Sequence, residues 1–579
     1  MRNGNEYDIG EDGAMTMNDY LSKYNQWLKA PYIDQQTKAE LAAANDPADI
    51  ADRFYKDLEF GTGGLRGVMG AGTNRVNKYT VRKASYGLAH YLLAVYGDQG
   101  REKGIVIAYD SRYNSDLFAR EAAKVFCAAG IKTFLFGRIQ PTPVLSFAVR
   151  YLGCIGGVVI TASHNSKEYN GYKVYNHHGC QLVPKEADEV ITHVRQVEEI
   201  AAIPVLDEAA ARDQGLLTSV DEAVFEAYLQ AVHAQSLFSD TRVKADLRIV
   251  FTPLHGTGLV PVNTILARDG FAQVFVVEEQ KDPDGGFPTV ETPNPEEEEA
   301  LALGVAKARA VEADIVLGTD PDCDRVGVAV KHGRDYVHLT GNQLGALLAG
   351  FVLEQKKQAL TPKSTLIKTI VTNDLGAQIA KSYGLQVVDT LTGFKFIGEK
   401  ITEFERTGSN QFVMGYEESY GYLVGTHARD KDAVVASMLI CEMAAHCLQQ
   451  GKTLVDVLDE LYLEYGCYVD HLDSFVFQGI DGIAQIERIM QRLRREGEAV
   501  LPDVIQAIDY KQGVGDLPRS DVLKFIQQDG SWIAVRPSGT EPKLKVYYSI
   551  RQPDKKSAQA KLDSIRGIMI SRVVGVEPQ

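Results

Sequence analysis

Short apolar runs alternate with helical segments from residue 104 onward, and the same pattern occurs three times. The first copy predicts strands at Ile105–Ala108, Ile131–Phe136 and Val158–Ile160 and a helix at 115–129. The second predicts strands at Leu247–Phe251, Phe271–Val277 and Ile315–Leu317 and a helix at 258–269. The third predicts strands at Leu366–Val371, Leu385–Val388 and Phe412–Met414 and a helix at 374–382. Such alternation is typical of α/β domains, so we expect three related α/β domains with mixed, mainly parallel sheets.

Different patterns flank the repeats. Helical spacing of aromatic residues predicts a helix around Tyr20–Leu28, and Asp46-Pro47 predicts the start of a second helix that runs to Leu58. Toward the C-terminus the predicted elements are helices at 453–464, 482–494 and 555–570, a hairpin of Val522–Ile526 with Trp532–Val535, and a strand at Leu544–Ile550. These elements predict a C-terminal α+β domain after a movable linker around 430–466. The expected domains are 1–206, 207–335, 336–455 and 456–579.

A polar loop follows the third strand of each copy: Thr161–Lys173, Thr319–Arg325 and Tyr416–Gly421. Ligands of parallel sheets gather at the carboxyl ends of strands. Three equivalent loops of different chemistry therefore predict one site assembled between the three related domains.

Charge and composition narrow the range of partners. The 579 residues include 61 Lys and Arg against 77 Asp and Glu, a formal net charge of −16, which argues against a nucleic-acid partner. The seven cysteines form no C-x-x-C pair, which is typical of reduced thiols. Neither a signal region nor an apolar run of membrane-spanning length is present. We therefore expect a cytoplasmic protein without a membrane partner.

The first loop presents Ser163 at the end of a strand, with His164, Asn165 and Lys173 close in sequence. A hydroxyl in such surroundings is a candidate nucleophile or phosphoryl carrier. The alternative is an ordinary turn rich in serine and asparagine.

The second loop, Gly318-Thr-Asp-Pro-Asp-Cys-Asp-Arg325, places carboxylates at Asp320, Asp322 and Asp324. Alternate spacing in an extended loop directs three oxygen ligands toward one point, which suits Mg²⁺. An acidic turn that caps a helix is the alternative, but three carboxylates without a cation repel one another.

Further loops supply groups for an anionic ligand. Arg536-Pro-Ser-Gly-Thr-Glu-Pro has the composition of a phosphate-binding loop, or of a plain hairpin edge. Gly415-Tyr-Glu-Glu-Ser-Tyr-Gly421 offers groups that bind sugar hydroxyls, or is an acidic surface turn. The glycine-rich loop Phe60–Gly67 places Arg66 near an anion, or is a structural turn. No segment resembles an adenine site, so phosphoryl transfer here needs a phosphorylated enzyme or substrate as donor.

Together the motifs Thr161-Ala-Ser-His-Asn165, Asp320-Pro-Asp-Cys-Asp-Arg325, Glu417-Glu-Ser-Tyr-Gly421 and Arg536-Pro-Ser-Gly-Thr540 resemble the alpha-D-phosphohexomutase superfamily, most closely its bacterial phosphoglucomutase-type members. The resemblance spans Phe60 to Ile550, with the motifs in the family's order. It implies four domains around a central cleft and an intramolecular phosphotransferase. The expected reaction interconverts glucose 1-phosphate and glucose 6-phosphate.

The resemblance also assigns roles. Ser163 is then the phosphoserine, and glucose 1,6-bisphosphate is the intermediate and activator that turns round in the cleft. One Mg²⁺ per chain is held by Ser163, Asp320, Asp322 and Asp324. The implied catalytic residues are Ser163, His164, Lys173, Arg66 and Lys395; Lys173 is the first choice for general acid/base, with a pKa lowered by burial beside Arg66 and the metal. The implied substrate-binding residues are Arg325, Thr392, Gly393, Glu417, Ser419, Arg536, Ser538, Gly539 and Thr540.

Two positions depart from the family pattern. Ser166 stands where proline is common, and Tyr416 stands where glycine is common before the Glu-Glu-Ser segment. The second departure leaves phosphomannomutase and phosphopentomutase activities as alternatives. A sugar-1,6-bisphosphate synthase is a further alternative, because its loops could be the same and only its phosphoryl donor would differ. A small-molecule sugar phosphate is the expected partner, and a monomer or weak homo-oligomer the expected state.

Overall fold

The computed structural model describes residues 17–61, 63–477, 479–538 and 543–574. Three helices form an N-terminal layer: α1 Met17–Lys29, α2 Gln35–Ala43 and α3 Pro47–Phe54. The Asp46 side chain accepts a hydrogen bond from the amide of Ala48 and so caps α3 as expected, but α3 ends at Phe54 rather than at Leu58. Trp27 packs edge-on against Phe54 and Tyr79, which anchors this layer to the first domain.

The first α/β domain has a six-stranded sheet in the order β1-β5-β4-β2-β3-β6. Its elements are β1 Leu65–Val68, α4 Lys78–Lys103, β2 Ile105–Tyr109, α5 Ser115–Ala128, β3 Thr133–Leu135, α6 Thr142–Tyr151, β4 Gly156–Ile160, β5 Tyr169–Asn176, α7 Pro184–Arg195, α8 Glu208–Asp213 and β6 Leu217–Ser219. The glycine-rich segment predicted as a loop ends in strand β1, which contains Arg66. β6 pairs with β3, so the first sheet continues past residue 206.

The second and third domains follow the same plan. The second contains α9 Glu222–His233, α10 Thr241–Asp246, β7 Arg248–Thr252, α11 Leu259–Arg268, β8 Gln273–Val276, α12 Glu298–Val311, β9 Ile315–Thr319, β10 Val326–His332 and β11 Asp335–Leu339. The third contains α13 Gly341–Gln355, β12 Ser364–Thr369, α14 Leu375–Ser382, β13 Gln386–Thr390, α15 Phe394–Thr407, β14 Gln411–Glu417, β15 Gly421–Val424, α16 Ala433–Gln449 and α17 Leu454–Tyr465.

The strand order confirms that the three domains are related. Each sheet contains the same four-strand unit, in the orders β5-β4-β2-β3, β10-β9-β7-β8 and β15-β14-β12-β13. In each unit the three predicted strands are parallel, and a fourth strand, which the sequence did not predict, pairs antiparallel with the third. Each polar loop therefore connects two neighbouring strands, and both of its ends are fixed by the sheet.

The C-terminal domain is an antiparallel sheet with two helices, as expected for an α+β domain. Its elements are β16 Cys467–Val476, α18 Gly479–Glu496, β17 Val504–Asp509, β18 Leu523–Gln527, β19 Trp532–Pro537, β20 Lys543–Gln552 and α19 Lys555–Val574, with strand order β16-β20-β19-β18-β17. The prediction of a movable linker around 430–466 is wrong. Residues 433–465 are mostly the helices α16 and α17, and α16 is almost wholly buried.

Among the described residues, no single helix is both long enough and apolar enough to cross a bilayer. Helices α16 and α17 reach that length and apolarity only as a pair, which is bent by 84°.

Candidate active site

Ser163 lies in the turn after β4 and faces the second domain. Its backbone is left-handed, with φ of 54°, and its side chain is buried. Its hydroxyl donates a hydrogen bond to Oδ2 of Asp320 at 2.8 Å and lies 3.3 Å from Nδ1 of His164. The predicted serine loop and aspartate loop therefore meet across a domain boundary.

Asp320, Asp322 and Asp324 converge as the sequence predicts. All three are buried, and one carboxylate oxygen from each lies within 4.8 Å of the others. Asp320 Oδ1 accepts hydrogen bonds from the amides of Asp324 and Arg325, both at 3.0 Å, which fixes its carboxylate. Oδ1 of Asp322 and Oδ1 of Asp324 are buried without a hydrogen-bond partner. Unpaired buried carboxylate oxygens need a cation, so this donor set fits a divalent metal ion.

Lysine ammonium groups partly balance the three carboxylates. Lys173 Nζ lies 2.7 Å from Asp322 and 3.4 Å from Asp324, and Lys431 Nζ lies 3.3 Å from Asp324. Burial and the charges of its two neighbours raise the pKa of Asp320 well above its ordinary value. Burial opposes ionisation of Asp322 too, but Lys173 holds its pKa below the usual range.

The position of Lys173 differs from the one expected, and two carboxylates influence the pKa of its side chain. It lies within strand β5, opposite Val159, rather than in the polar loop. Burial by itself lowers the pKa of Lys173, but Asp322 and Asp324 outweigh burial, and the pKa is raised above its ordinary value. Asp322 and Asp324 thus oppose the lowering of the Lys173 pKa by burial and Arg66. The lowering expected beside a bound metal ion stays a prediction.

His164 and Arg66 lie beside the serine turn. Burial, together with the charges of Arg325 and Arg66, lowers the pKa of His164 well below its ordinary value, so its imidazole is neutral at pH 7. The Arg66 guanidinium donates a hydrogen bond to Asn165 Oδ1 at 3.1 Å. The turn thus combines a hydroxyl, a neutral imidazole and a cation.

The loop of the third domain joins the same site. The backbone of Arg325 pairs with that of Gly421, and the amide of Val326 donates to the carbonyl oxygen of Tyr420 at 3.3 Å. The Ser419 hydroxyl donates to Glu417 Oε1 at 3.2 Å. The candidate metal loop, Thr319–Arg325, and the predicted sugar loop, Tyr416–Gly421, are therefore held together by backbone contacts.

The two adjacent glutamates of that loop have different surroundings. Burial raises the pKa of Glu417 to about 7, with Lys431 opposing the shift. Glu418 instead accepts hydrogen bonds from Thr369 and Thr372 at 3.1 and 3.2 Å. Glu417 is therefore the carboxylate paired with Ser419, whereas Glu418 is directed toward Thr369 and Thr372.

Tyr416 does not enter the cleft. Its ring is fully buried, and a Cβ added to Gly345 or to Gly376 would lie 2.2 Å from a Tyr416 atom. Successive residues of a strand point to opposite faces, so Glu417 faces away from Tyr416. The departure from the family pattern is accommodated by two glycines of the neighbouring helices α13 and α14, outside the sugar loop.

The third and fourth domains bring two cations, Lys395 and Arg536, near each other. Gly393, with φ of 116°, precedes the first residue of α15, and Thr392 Oγ1 is buried without a hydrogen-bond partner. Burial, with a contribution from the charge of Arg536 on β19, lowers the pKa of Lys395 to about 8. The amide of Ser538 donates to the carbonyl oxygen of Lys543 at 2.7 Å. Gly539 and Thr540 lie outside the described residues.

A helix N-terminus beside cations suits an anionic group such as a phosphate. That chemistry agrees with what comparison with known proteins shows. Models of the phosphoglucomutase/phosphomannomutase family match in four consecutive parts: alpha/beta/alpha domain I at residues 57–201, domain II at 226–333, domain III at 340–465 and the C-terminal domain at 483–563. The chain belongs to this family. The resemblance inferred from the four motifs is thereby confirmed.

Curated members of the phosphoglucomutase/phosphomannomutase family are similar along nearly the whole chain. A phosphoglucomutase of Staphylococcus saprophyticus is 35% identical over 545 residues, covering 92% of this chain and 96% of its own length. One of Staphylococcus epidermidis is 37% identical over 540 residues, covering 91% and 96%. One of Staphylococcus aureus is 35% identical over 566 residues, covering 94% and 97%.

Solved structures of the family share the fold. A phosphoglucomutase/phosphomannomutase family protein from Burkholderia thailandensis superposes with a TM-score of 0.66 at 19% identity, covering 88% of this chain and 96% of that one. The Paramecium phosphoglucomutase pp63/parafusin, in its open form, superposes with a TM-score of 0.67 at 18% identity, covering 91% and 97%. The predicted fold class is therefore confirmed.

Two residues of the site were not found from the sequence of this family member. Thr142, the first residue of α6, contacts Asp322, and the Arg112 guanidinium contacts the backbone of the serine turn. Both follow a strand of the first sheet at its carboxyl end, β3 and β2 respectively. The rule that ligands gather at these ends, applied to every strand rather than to the third alone, would have indicated both.

Proposed function

We propose that this chain is a phosphoglucomutase that interconverts α-D-glucose 1-phosphate and glucose 6-phosphate. The observation that carries the proposal is the Ser163 hydroxyl, buried and 2.8 Å from Asp320 at the junction of two domains. The names of the relatives, which are 35–37% identical over more than 90% of the chain, support the same reaction. Phosphoserine at 163 would be the resting form, and glucose 1,6-bisphosphate the intermediate and activator.

One Mg²⁺ would be held by Asp320, Asp322, Asp324 and the phosphorylated Ser163. The unpaired Oδ1 atoms of Asp322 and Asp324 support this set of ligands. When bound, the cation would neutralise negative charge on the phosphoryl group in transfer.

The transfer needs one proton removed and one supplied. In the first half-reaction the bond between phosphorus and Ser163 Oγ breaks, a bond to a sugar hydroxyl oxygen forms, and that hydroxyl loses its proton. In the second, the bond between the other phosphorus atom and its sugar oxygen breaks, that oxygen takes up a proton, and the phosphoryl group bonds to Ser163 Oγ, which loses its proton. Protonated Lys173 is suited to give a proton to a departing oxygen, and neutral His164 is suited to accept one. Lys173 stays our first choice for the general acid/base.

The remaining groups would bind the substrate. Glu417 and Ser419 would hold sugar hydroxyls, and Arg66 and Arg325 the reacting phosphate. The other phosphate would bind to the loop of the fourth domain, at Arg536, Ser538, Gly539 and Thr540. Thr392 and Gly393 would also bind substrate, and Lys395 stays among the proposed catalytic residues. The fourth domain would close over the ligand. A cytoplasmic location, a monomeric or weakly oligomeric state and the three domain boundaries, at residues 206, 335 and 455, stay predictions.

A side-by-side assay tests the proposal. We would measure turnover of glucose, mannose, glucosamine and pentose 1-phosphates with trace bisphosphate, and expect glucose 1-phosphate to give the highest kcat/KM. A higher value for mannose or pentose phosphate would contradict the assignment. Net synthesis of bisphosphate from a bisphosphorylated donor, without isomerisation, would favour a sugar-1,6-bisphosphate synthase instead.

Ser163→Ala tests the phosphoserine directly. We expect loss of turnover and of the phosphorylated species in an intact-protein mass spectrum. The matched control is Ser85→Ala, which removes another buried hydroxyl of the same domain, one that contacts Tyr172. Near-normal activity of Ser163→Ala would sink the mechanism.

A further inference from the structure

We infer that Arg112 is a positioning residue that sets the shape of the Ser163 turn. Its side chain is buried, and its guanidinium donates hydrogen bonds to four carbonyl oxygens of that loop. The acceptors are the oxygens of Ser163 at 2.6 Å, Ser166 at 2.8 Å, Tyr169 at 3.1 Å and also Asn165. The planar, rigid guanidinium can hold several acceptors in a fixed arrangement, which a lysine ammonium cannot reproduce.

Asp110 in turn holds the Arg112 side chain in place. Asp110 Oδ2 lies 3.4 Å from Arg112 Nε, and Asp110 Oδ1 accepts hydrogen bonds from the Arg112 amide at 2.9 Å and from the Ser115 hydroxyl at 2.7 Å. Asp110 follows strand β2 directly. The contacts therefore tie the serine turn to the end of a central strand of the sheet.

The second domain covers the other face of Arg112. The ring of Phe287 lies 5.0 Å from the guanidinium carbon, and this ring is fully buried. A Cβ on Gly285 would lie 2.3 Å from the amide nitrogen of Tyr113, so the loop before Phe287 packs directly on the backbone after Arg112. The clamp, which we define as Asp110, Arg112 and Phe287, is therefore complete only where the second domain meets the first.

The clamp links two positions that catalysis requires together. The left-handed backbone at Ser163 directs its hydroxyl toward Asp320, while Arg112 holds the carbonyl oxygen of the same residue on the other side. The domain that supplies Phe287 also supplies Asp320. Docking of the second domain thus fixes the serine turn and the aspartate loop in one event. Arg112 acts through Ser163 and its neighbours rather than on the substrate.

The experiment compares Arg112→Lys and Phe287→Leu with Arg75→Lys. Arg75 is the matched control, because it is a buried arginine that donates to the Asp52 carbonyl oxygen at 3.2 Å, the Asn74 carbonyl oxygen at 3.1 Å and the Asp52 carboxylate at 2.6 Å, away from the cleft. Displacing a reacting group by about 1 Å costs on the order of 100-fold in rate. We expect kcat of Arg112→Lys to fall by about that factor, with KM changed less than about threefold.

Phe287→Leu keeps every hydrogen bond of the clamp and removes only the aromatic cover, so a smaller fall in kcat is expected. Phe287→Leu also keeps the inference testable if Arg112→Lys fails to fold. A loss in Arg112→Lys no larger than in Arg75→Lys, or one confined to KM, would overturn the inference.

The kinetic part of the test rests on the proposed function, so a second measurement is independent of it. Amide hydrogen exchange should quicken in peptides covering residues 161–172 in Arg112→Lys and not in Arg75→Lys. Unchanged exchange there would overturn the clamp even if the wild-type enzyme is a phosphoglucomutase. If exchange is quicker in Arg112→Lys and the wild-type protein has no mutase activity, the proposed function is refuted and the clamp is still supported.

Discussion

Thr142 donates two hydrogen bonds to Asp322, from its amide to the carbonyl oxygen at 2.9 Å and from its hydroxyl to Oδ2 at 2.8 Å. The threonine belongs to the first domain and the aspartate to the second. Because Oδ2 is occupied by Thr142 and Lys173, the unpaired Oδ1 is the atom left for a cation. A residue outside the metal loop thus orients one of its carboxylates.

Thr142→Val should weaken Mg²⁺ binding. The change keeps the side-chain shape and removes one hydrogen bond to Asp322, a proposed metal ligand. Loss of such a contact to a metal ligand costs about 10-fold in affinity. The rise in melting temperature on addition of Mg²⁺ measures it. Thr133→Val, at a buried threonine of β3 whose hydroxyl bonds the Ile131 carbonyl oxygen, is the control. Equal Mg²⁺ affinity in both variants would refute the orienting role.

Removing the metal should stop the reaction. Chelation by EDTA is expected to abolish turnover, and Mg²⁺ to restore it, because charge on the phosphoryl group is otherwise unbalanced. In Asp324→Asn, which loses one of the unpaired ligand oxygens, Mg²⁺ should restore much less activity. A chelated wild-type enzyme working at full rate is the outcome that excludes a catalytic metal.

Arg536→Ala should raise KM for glucose 1-phosphate. Expressed as a free energy, this effect should exceed the loss in the free energy of unfolding. A hydrogen bond to a charged group contributes about 1.5–3 kcal/mol, which corresponds to roughly a tenfold or larger change in KM. Steady-state kinetics and thermal melting measure the two effects. Arg519→Ala removes an exposed arginine of the same domain and serves as the control. A KM equal to that of the control would contradict the phosphate-binding role.

Tyr416→Gly should cost stability without changing sugar preference. The ring fills the space above Gly345 and Gly376, and removing a large buried aromatic side chain costs about 3–5 kcal/mol. Denaturant unfolding measures the loss, and the ratio of kcat/KM for glucose and mannose phosphates measures preference. A shift in that ratio would mean that Tyr416 influences the sugar loop after all.

Lys524 should give the contact between the third and fourth domains a dependence on pH. Its ammonium is buried, donates to the Ile370 carbonyl oxygen at 2.7 Å and lies 4.2 Å from the Trp532 ring centroid. Burial, with the charge of Lys368, lowers its pKa to about 8. Between pH 8 and the pKa of about 10.4 of an unfolded lysine, the unfolded chain binds more protons, so this group makes stability rise with pH.

The melting temperatures of wild type and Lys524→Met, recorded at pH 7.5 and at pH 10, isolate that contribution. The free energy of unfolding of the wild type, relative to that of the variant, should increase at the higher pH by at most about 3 kcal/mol. The melting temperature of the wild type should rise accordingly. A constant difference between the two proteins would show that Lys524 titrates normally.

The central parallel strands were predictable because they are short apolar runs buried on both faces, as Ile105–Tyr109 and Ile315–Thr319 are. The antiparallel fourth strands were not. Tyr169–Asn176 is rich in polar residues and glycine, and its extended form depends on pairing with β4, which local sequence does not report. For this reason Lys173 was assigned to a loop although it lies in a strand.

Some residues of the candidate site could likewise be predicted from the sequence, and others could not. Side chains whose chemistry is evident from residue type and spacing, such as Ser163 and the three aspartates, were predicted to meet and do so. Arg112 acts on backbone carbonyl oxygens, and Glu418 turns to Thr369 and Thr372. Residue type carries no signal of those partners, because they are set by tertiary packing.

The left-handed backbone at Ser163 has a consequence for which hydroxyl amino acid this position accepts. Threonine offers the same reactive group, but a β-branched residue at positive φ is strained by about 1–3 kcal/mol. Replacing Ser163 by threonine would therefore either open the turn or turn the hydroxyl away from Asp320. Backbone geometry alone selects serine over threonine here, before any chemical step begins.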